Sequence, residues 1–168
     1  MNIGVLIAEA LVFTALFTVG VFAAAWGDRK NSPGYVHNCP PDIQEAYFKT
    51  HPRMEVGYGS KKVVLTKLAG LLLFVAILSA CAWLAGARTF LQGFGVGLGL
   101  MVWIGLFDTL FLDWVLFANM RYFRLEGTEH MDEAYHQKWF HLKGMLFPGS
   151  VFGLIVGALV GAIIALLA

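Results

Sequence analysis

Two aspartates interrupt a strongly apolar segment, "GLFDTLFLDWVLF", near the two-thirds point of the chain. A carboxylic acid in such surroundings can carry a proton, bind a cation or serve as a general acid or base. On a regular α-helix the five-residue separation of Asp108 and Asp113 corresponds to a rotation of about 140°. We therefore expect the two carboxylates to face different neighbours, and each to act with groups from another segment of the chain.

A second group of candidate residues lies in two polar stretches. The segment "GTEHMDEAYHQKWFHLKG" places acidic residues and histidines at helical spacing, and "HNCPP" adds a histidine and a cysteine. These residue types suit zinc or iron, but no HExxH or paired-cysteine motif accompanies them, and acidic residues often stabilise a helix N-terminus instead. The sequence therefore indicates no cofactor, with a divalent metal as the alternative. The candidates for this site are Glu129, Asp132, His136, His141, His37 and Cys39.

The composition indicates that these residues belong to a membrane protein. Of the 168 residues, 58% are hydrophobic and 14% are charged, whereas soluble domains carry about 25% charged residues. A helix needs about 20 apolar residues to cross the hydrocarbon core of a bilayer, and inside lipid a helix satisfies its own backbone groups. We therefore predict an all-α membrane protein with one domain, residues 1–168. Its four spans are residues 3–26, 63–87, 90–118 and 145–168.

The distribution of lysine and arginine predicts the orientation of these spans. The loop at 27–62 contains six such residues and the loop at 119–144 contains four, whereas the turn between the second and third spans contains Arg88 alone. By the positive-inside rule both long loops are cytoplasmic, which places both termini outside the cell. The first span lacks a positive leading region and contains Glu9, so we expect it to be retained as a helix.

Each long loop is expected to carry a short amphipathic helix. In the first loop, "DIQEAYFKTH" predicts a helix that Pro52 ends. In the last loop, Thr128 is a plausible N-cap and Gly144 a plausible stop for one continuous helix. The apolar stripe of that second helix would be formed by Met131, Tyr135, Trp139 and Leu142.

Glycines mark the packing faces of the last two spans. Small residues at every fourth position allow another helix to approach closely, and the fourth span is expected to pack against the first or second span, or against a second copy of the chain. In the third span, glycines at every second position between 93 and 99 predict a kinked or unwound outer end. The ladder in the fourth span consists of Gly149, Gly153, Gly157 and Gly161.

Two other charged residues within the spans have plausible partners. Lys67 lies at the depth of Asp113, so the pair can neutralise each other in the same leaflet. Glu9 lies about two turns into the first span, within reach of a snorkelling Arg88. Asp108 has no such partner in the sequence, and a membrane-embedded ionisable residue is a functional-site hypothesis by default.

Three segments, "HNCPPDIQEAYFKTH", "FDTLFLDW" and "GTEHMDEAYHQKWFHLKG", resemble a family of small four-helix bacterial integral membrane proteins with no assigned activity. The resemblance runs from the first long loop to the end of the chain. It implies this architecture and a bacterial cytoplasmic membrane, and it implies no catalytic residue.

The function must therefore be inferred from the charged residues in the spans, since no nucleotide, nucleophile-elbow or haem-attachment motif is present. We expect a translocation protein for a proton, a cation or a small cationic solute, with Asp108, Asp113, Glu9 and Lys67 along its polar path. One alternative is an enzyme acting on a lipid or quinone at the cytoplasmic surface. Another is an accessory subunit of a membrane complex. The partners expected are the lipid bilayer and a second copy or another membrane subunit, and the net charge of +1 gives no case for nucleic acid.

Overall fold

The structure, a computed structural model, describes residues 1–31, 34–53 and 60–168 and is helical throughout its regular elements. Short 3₁₀ segments lie at Gly34–Asn38 and Arg121–Phe123, and π-helical segments lie at Asp108–Phe117 and Met145–Gly149. The α-helices are α1 Ile3–Asn31, α2 Pro41–Phe48, α3 Lys61–Leu84, α4 Phe90–Phe107, α5 Asp132–Tyr135, α6 Lys138–Gly144 and α7 Ser150–Leu167.

Four helical runs are long and apolar enough to cross a bilayer, and they confirm the predicted all-α, four-span architecture. A span of this kind satisfies its backbone polar groups internally, which lipid requires. The chain is therefore a multi-pass membrane protein. The runs are Ile3–Trp26, Lys61–Leu84, Phe90–Phe117 and Asp132–Leu167.

The chain forms two compact units, and the prediction of a single domain over residues 1–168 stays a prediction. The first unit consists of Met1–Phe13, Val56–Gly105 and Phe147–Ala168. The second unit consists of Thr14–Glu55 and Leu106–Leu146.

In the first unit, glycines bring α4 and α7 into close contact. A Cβ atom at Gly97 would lie 3.2 Å from Gly157 Cα, and one at Gly161 would lie 2.7 Å from the carbonyl oxygen of Phe90. Gly153, Gly157 and Gly161 thus face the third span. The predicted packing of the fourth span against the second is confirmed, because α7 also packs against α3. The predicted kink in the outer part of the third span is wrong, because Phe90–Phe107 is continuous α-helix whose Gly93 and Gly97 are used in this contact.

The start of α1 is attached to the turn between α3 and α4. The Asn2 N–H donates to the carbonyl oxygen of Ala85 at 2.7 Å, and Leu6, Ala10 and Phe13 pack against the core that α3, α4 and α7 form. Within this unit the N-terminus and the α3–α4 turn therefore lie at the same end. Two spans separate them along the chain, and after two crossings of a membrane the chain is back on its first side.

In the second unit, the two long loops fold against each other. Val36, Cys39 and Ile43 of the first loop share one buried cluster with Leu125 and Tyr135 of the second. A hydrogen bond joins the same segments, since Gln137 Nε2 donates to Asp42 Oδ2 at 2.6 Å. The sequence left open whether these loops meet, and the structure shows one shared core.

The predicted continuous helix of the last loop is wrong. Two shorter helices, α5 and α6, are separated at His136 and Gln137. Thr128 does not cap a helix, because its Oγ1 donates to the carbonyl oxygen of Leu125 and lies 2.7 Å from the hydroxyl of Tyr135. The predicted apolar stripe is broken accordingly, since Tyr135 is 1% exposed and Trp139 is 72% exposed.

The close contact of α7 with α4 predicts a selective effect of added methyl groups. Gly161→Ala should lower the free energy of unfolding by about 1–3 kcal/mol, the usual cost of overpacking, because the new Cβ would meet Phe90. Gly95→Ala is the matched control, since no atom lies within 4 Å of its Cβ position. Thermal unfolding in detergent, followed by circular dichroism, measures both. Equal melting temperatures for the two variants would contradict the packing described here.

Candidate functional site

The central contact of the second unit joins the third span to the segment before the fourth. His141 Nδ1 lies 3.0 Å from Asp113 Oδ2, and the side chains are 9% and 22% exposed. An ionised carboxylate only accepts hydrogen bonds, so Nδ1 carries the hydrogen of this contact. In surroundings of low dielectric constant such a charge-assisted bond is stronger than at a protein surface.

The position of His141 is set by the start of α6. Trp114 Nε1 donates to the carbonyl oxygen of Lys138 at 3.2 Å, and Lys138 Nζ lies 5.3 Å from the centroid of the Trp114 ring. Residues i and i+3 share a face of a helix, so anchoring Lys138 directs His141 to the same side of α6. The neighbouring residues Trp114 and Asp113 therefore hold α6 at two points.

The π-helical segment changes the relation between the two aspartates. The N–H of Ala118 donates to the carbonyl oxygen of Asp113, an i to i−5 bond. In this winding residues five apart lie one turn apart on the same face, unlike in an α-helix. Our expectation that Asp108 and Asp113 face different neighbours is therefore wrong, and Asp108 interacts electrostatically with both Asp113 and His141.

The second ring nitrogen of His141 is buried and has no hydrogen-bond partner among the described residues. Aromatic rings surround the imidazole: its centroid lies 5.3 Å from that of Phe117 and 5.2 Å from that of Phe140. A neutral imidazole that donates through Nδ1 has an acceptor at Nε2. The site therefore contains a proton acceptor held in place by a carboxylate.

Cys39 is brought into this unit from the first loop. It is fully buried, and burial together with the charge of Asp113 raises the pKa of its thiol to about 12. Because the thiolate is the reactive form of cysteine, this residue is suited to packing and not to nucleophilic chemistry. Neither Cys39 nor Cys81, both described, forms a disulfide.

The other candidates from the polar stretches lie at the surface. The Asp132 side chain is 76% exposed, and its Oδ1 lies 2.9 Å from Nη2 of Arg124. The Nδ1 of His136 donates to the backbone oxygen of Asp132 and does not contact its carboxylate. Glu129 and His37 are exposed. Within residues 1–31, 34–53 and 60–168, no three His, Cys, Asp or Glu side chains are placed to hold a metal ion.

Glu9 and Lys67 belong to the first unit. Glu9 lies near the thiol of Cys81, and Arg88, its expected neighbour, donates to the backbone oxygens of Trp83 and Ala87. Lys67 lines an apolar groove with Phe74 and Phe152. The pairing of Lys67 with Asp113 and the inclusion of Glu9 in a common path stay predictions.

Arg124 is an important residue that the sequence did not single out. Its side chain is 6% exposed, its guanidinium lies 3.9 Å from the centroid of the Tyr135 ring, and its Nη2 donates to the carbonyl oxygen of Ala118 at 2.8 Å. A cation at this point offsets the partial negative charge of the carbonyl oxygens at the C-terminal end of the helix that carries Asp113. The only sequence signal was its position close to the end of the third span.

Comparison of the chain with models of protein families, with curated proteins and with solved structures finds no match.

The burial of Cys39 predicts slow labelling by thiol reagents. In a Cys81→Ser background at pH 8, a pKa of about 12 leaves about one thiol in ten thousand ionised, and the shared core of the two loops shields the sulfur. Labelling by a maleimide should therefore be complete only after unfolding in denaturing detergent.

The neighbouring position provides the control for this measurement. Asn38 is exposed, so Asn38→Cys in a background without the two native cysteines should react rapidly in the folded protein. Equal labelling rates at positions 38 and 39 would contradict the folded arrangement of the two loops.

Proposed function

We propose that this protein is a small translocation protein that transfers protons, with Asp108, Asp113 and His141 as its relay. The observation that supports the proposal most strongly is the partly buried contact of His141 Nδ1 with Asp113, together with the buried Nε2 that has no partner among the described residues. Chains of carboxylates and imidazoles inside membrane spans are the usual carriers of protons in pumps and transporters.

Each member of the relay has a distinct role in this proposal. His141 accepts a proton at Nε2 while Asp113 stabilises the imidazolium that forms, and Asp108 exchanges protons from the same face of the π-helical segment. Asp108 lies near enough to both partners to interact with them electrostatically, which supports its inclusion with the other two groups. Transport of a cation or a small cationic solute is the broader form of the same proposal.

The protein's location and assembly are also part of the proposal. The ten lysines and arginines of the two long loops, against one in the α3–α4 turn, support a cytoplasmic position for the loops and an extracytoplasmic position for both termini. Together with the resemblance to bacterial proteins, this distribution supports the cytoplasmic membrane as the location of the chain. Four helices are few to enclose a path, so we propose that the chain works as a homo-oligomer or with another membrane subunit.

Proton flux into liposomes tests the relay. Purified protein is reconstituted with a pH-sensitive dye inside the vesicles, and a potassium gradient with valinomycin provides the driving force. The wild-type chain should acidify the lumen faster than protein-free vesicles do. Asp113→Asn and His141→Gln should both reduce the rate to that of protein-free vesicles, because each change removes a group that exchanges protons.

Two exposed residues of the loop between the third and fourth spans provide matched controls, one for the loss of a carboxylate and one for the loss of an imidazole. Glu129 and His130 are both exposed, so Glu129→Gln and His130→Gln should retain the wild-type rate, with circular dichroism used to compare the folding of all variants. Wild-type vesicles that acidify no faster than protein-free vesicles would refute the proposal, as would full flux through folded Asp113→Asn.

A second candidate is an enzyme that acts on a lipid or quinone at the membrane surface. The observation in its favour is that His141 is bound by a carboxylate at Nδ1 and has an accepting Nε2, which is the arrangement of an oriented general base. Mass spectrometry of the lipids and quinones in the same vesicles would detect turnover. In an enzyme, His141→Gln abolishes product formation and Asp108→Asn leaves most of it, whereas a relay requires both residues for flux.

A further inference from the structure

An apolar groove of about 540 Å³ lies between α3 and α7 in the first unit. The groove is open along one side, so a ligand lying in it would keep part of its surface exposed. Its wall is formed mainly by small and aliphatic side chains, with one indole at its end. The lining includes Ala76, Ser79, Ala80, Trp83, Ile163 and Leu167.

The side-chain polar groups of the lining are the hydroxyl of Ser79 and, at the end of the groove, the indole N–H of Trp83. Ser79 is buried, and its hydroxyl donates to the carbonyl oxygen of Val75 at 2.8 Å, one turn earlier in α3. Placing a polar ligand against this wall would leave its donors and acceptors unsatisfied at a cost of about 1–3 kcal/mol each. The part of a ligand that occupies the groove is therefore a hydrocarbon.

The length of the groove matches one leaflet of a bilayer. From Ala76 to Leu84 α3 rises about 12 Å, at 1.5 Å per residue. The hydrocarbon core of a bilayer is about 30 Å thick, so one leaflet contributes about 15 Å. A single acyl chain entering beside the α3–α4 turn would thus follow the groove to near the middle of the membrane.

A fixed cation lies at the membrane-surface end of the groove. The guanidinium of Arg88 lies 3.9 Å from the centroid of the Trp83 ring, and its Nη1 donates to the carbonyl oxygens of Trp83 and Ala87 at 3.0 and 2.6 Å. Both hydrogen bonds use Nη1, and they orient the guanidinium group. Arg88 is nevertheless exposed. Arginine held in this way presents Nε and Nη2 in the planar arrangement that matches a phosphate.

We propose that the groove between α3 and α7 binds one acyl chain of an anionic phospholipid, with the lipid phosphate at Arg88. The apolar wall, the length of one leaflet and the cation beside Trp83 together select this occupant. A phospholipid combines the hydrocarbon that the groove requires with the negative charge that Arg88 requires. The site lies wholly in the first unit and is independent of the proposed proton relay.

Native mass spectrometry of the full-length chain, delipidated in detergent, tests the site. Phosphatidylglycerol should bind about tenfold more tightly than phosphatidylcholine, the factor expected for one hydrogen-bonded charge pair. Arg88→Gln should remove this preference. Lys62→Gln is the matched control, because Lys62 is an exposed cation at the opposite end of α3 and should leave the preference unchanged.

A second variant tests the groove without changing any charge. Ala80 is exposed and lines the groove, so Ala80→Phe should weaken phosphatidylglycerol binding by filling it. Leu65→Phe, at an exposed position of α3 outside the groove, should have no effect.

Three results would overturn the proposal. The first is equal binding of the two lipids to the wild-type chain, and the second is an unchanged preference in Arg88→Gln. The third is an Ala80→Phe chain that keeps its lipid but dissociates from an oligomer into monomers, which would show that the groove holds a second copy of the chain.

Discussion

A carboxylate in an apolar helix requires a partner, and for the partly buried Asp113 that partner is His141. An isolated charge in this environment costs several kcal/mol, so the chain between the third and fourth spans must return to the C-terminal part of the third span. The anchoring of Lys138 on Trp114 and the packing of Phe117 against the imidazole follow from that return. The loop between these spans is thus a folded part of the protein.

The same requirement accounts for the fold of the second unit. Once the last loop is held at the helix that carries Asp113, its apolar side chains need cover, and the first loop provides it through Val36, Cys39 and Ile43. Arg124 connects the parts, since it contacts Asp132, Tyr135 and the end of the π-helical segment. The first unit is organised differently, by close contact between glycines of α4 and α7, and it has no need of buried charge pairs for that contact.

Sequence patterns predicted the spans well because length and hydropathy are local properties. They predicted that α7 packs against the second span, α3, but not that its glycines face α4, since Gly157 and Gly161 determine how near a helix can come and not which helix comes. The partner of Asp113 was missed for a related reason. Matching depths pointed to Lys67, whereas the contact observed for Asp113 depends on a π-helical turn and on the return of α6.

Some information on that contact was present in the sequence. His141 lies within "WFHL", and an imidazole flanked by large apolar side chains is commonly buried against a partner. The i to i−5 hydrogen bond of Ala118 had no such signal, because no glycine or proline marks the segment from 108 to 117. The predicted metal ligands Asp132 and His136 were a reasonable pattern, but the nearby Arg124 binds the carboxylate instead.

The measurement that tests this account most directly is solid-state NMR of the protein in lipid bilayers, with the histidine nitrogens and aspartate carboxyl carbons labelled. A strong dipolar contact is expected between the Nδ1 of His141 and the carboxyl group of Asp113, and it should disappear in Asp113→Asn while the other histidine signals stay in place. A His141 signal with no carboxylate contact, or one unaffected by Asp113→Asn, would contradict the arrangement on which the fold of the second unit and the proposed relay both depend.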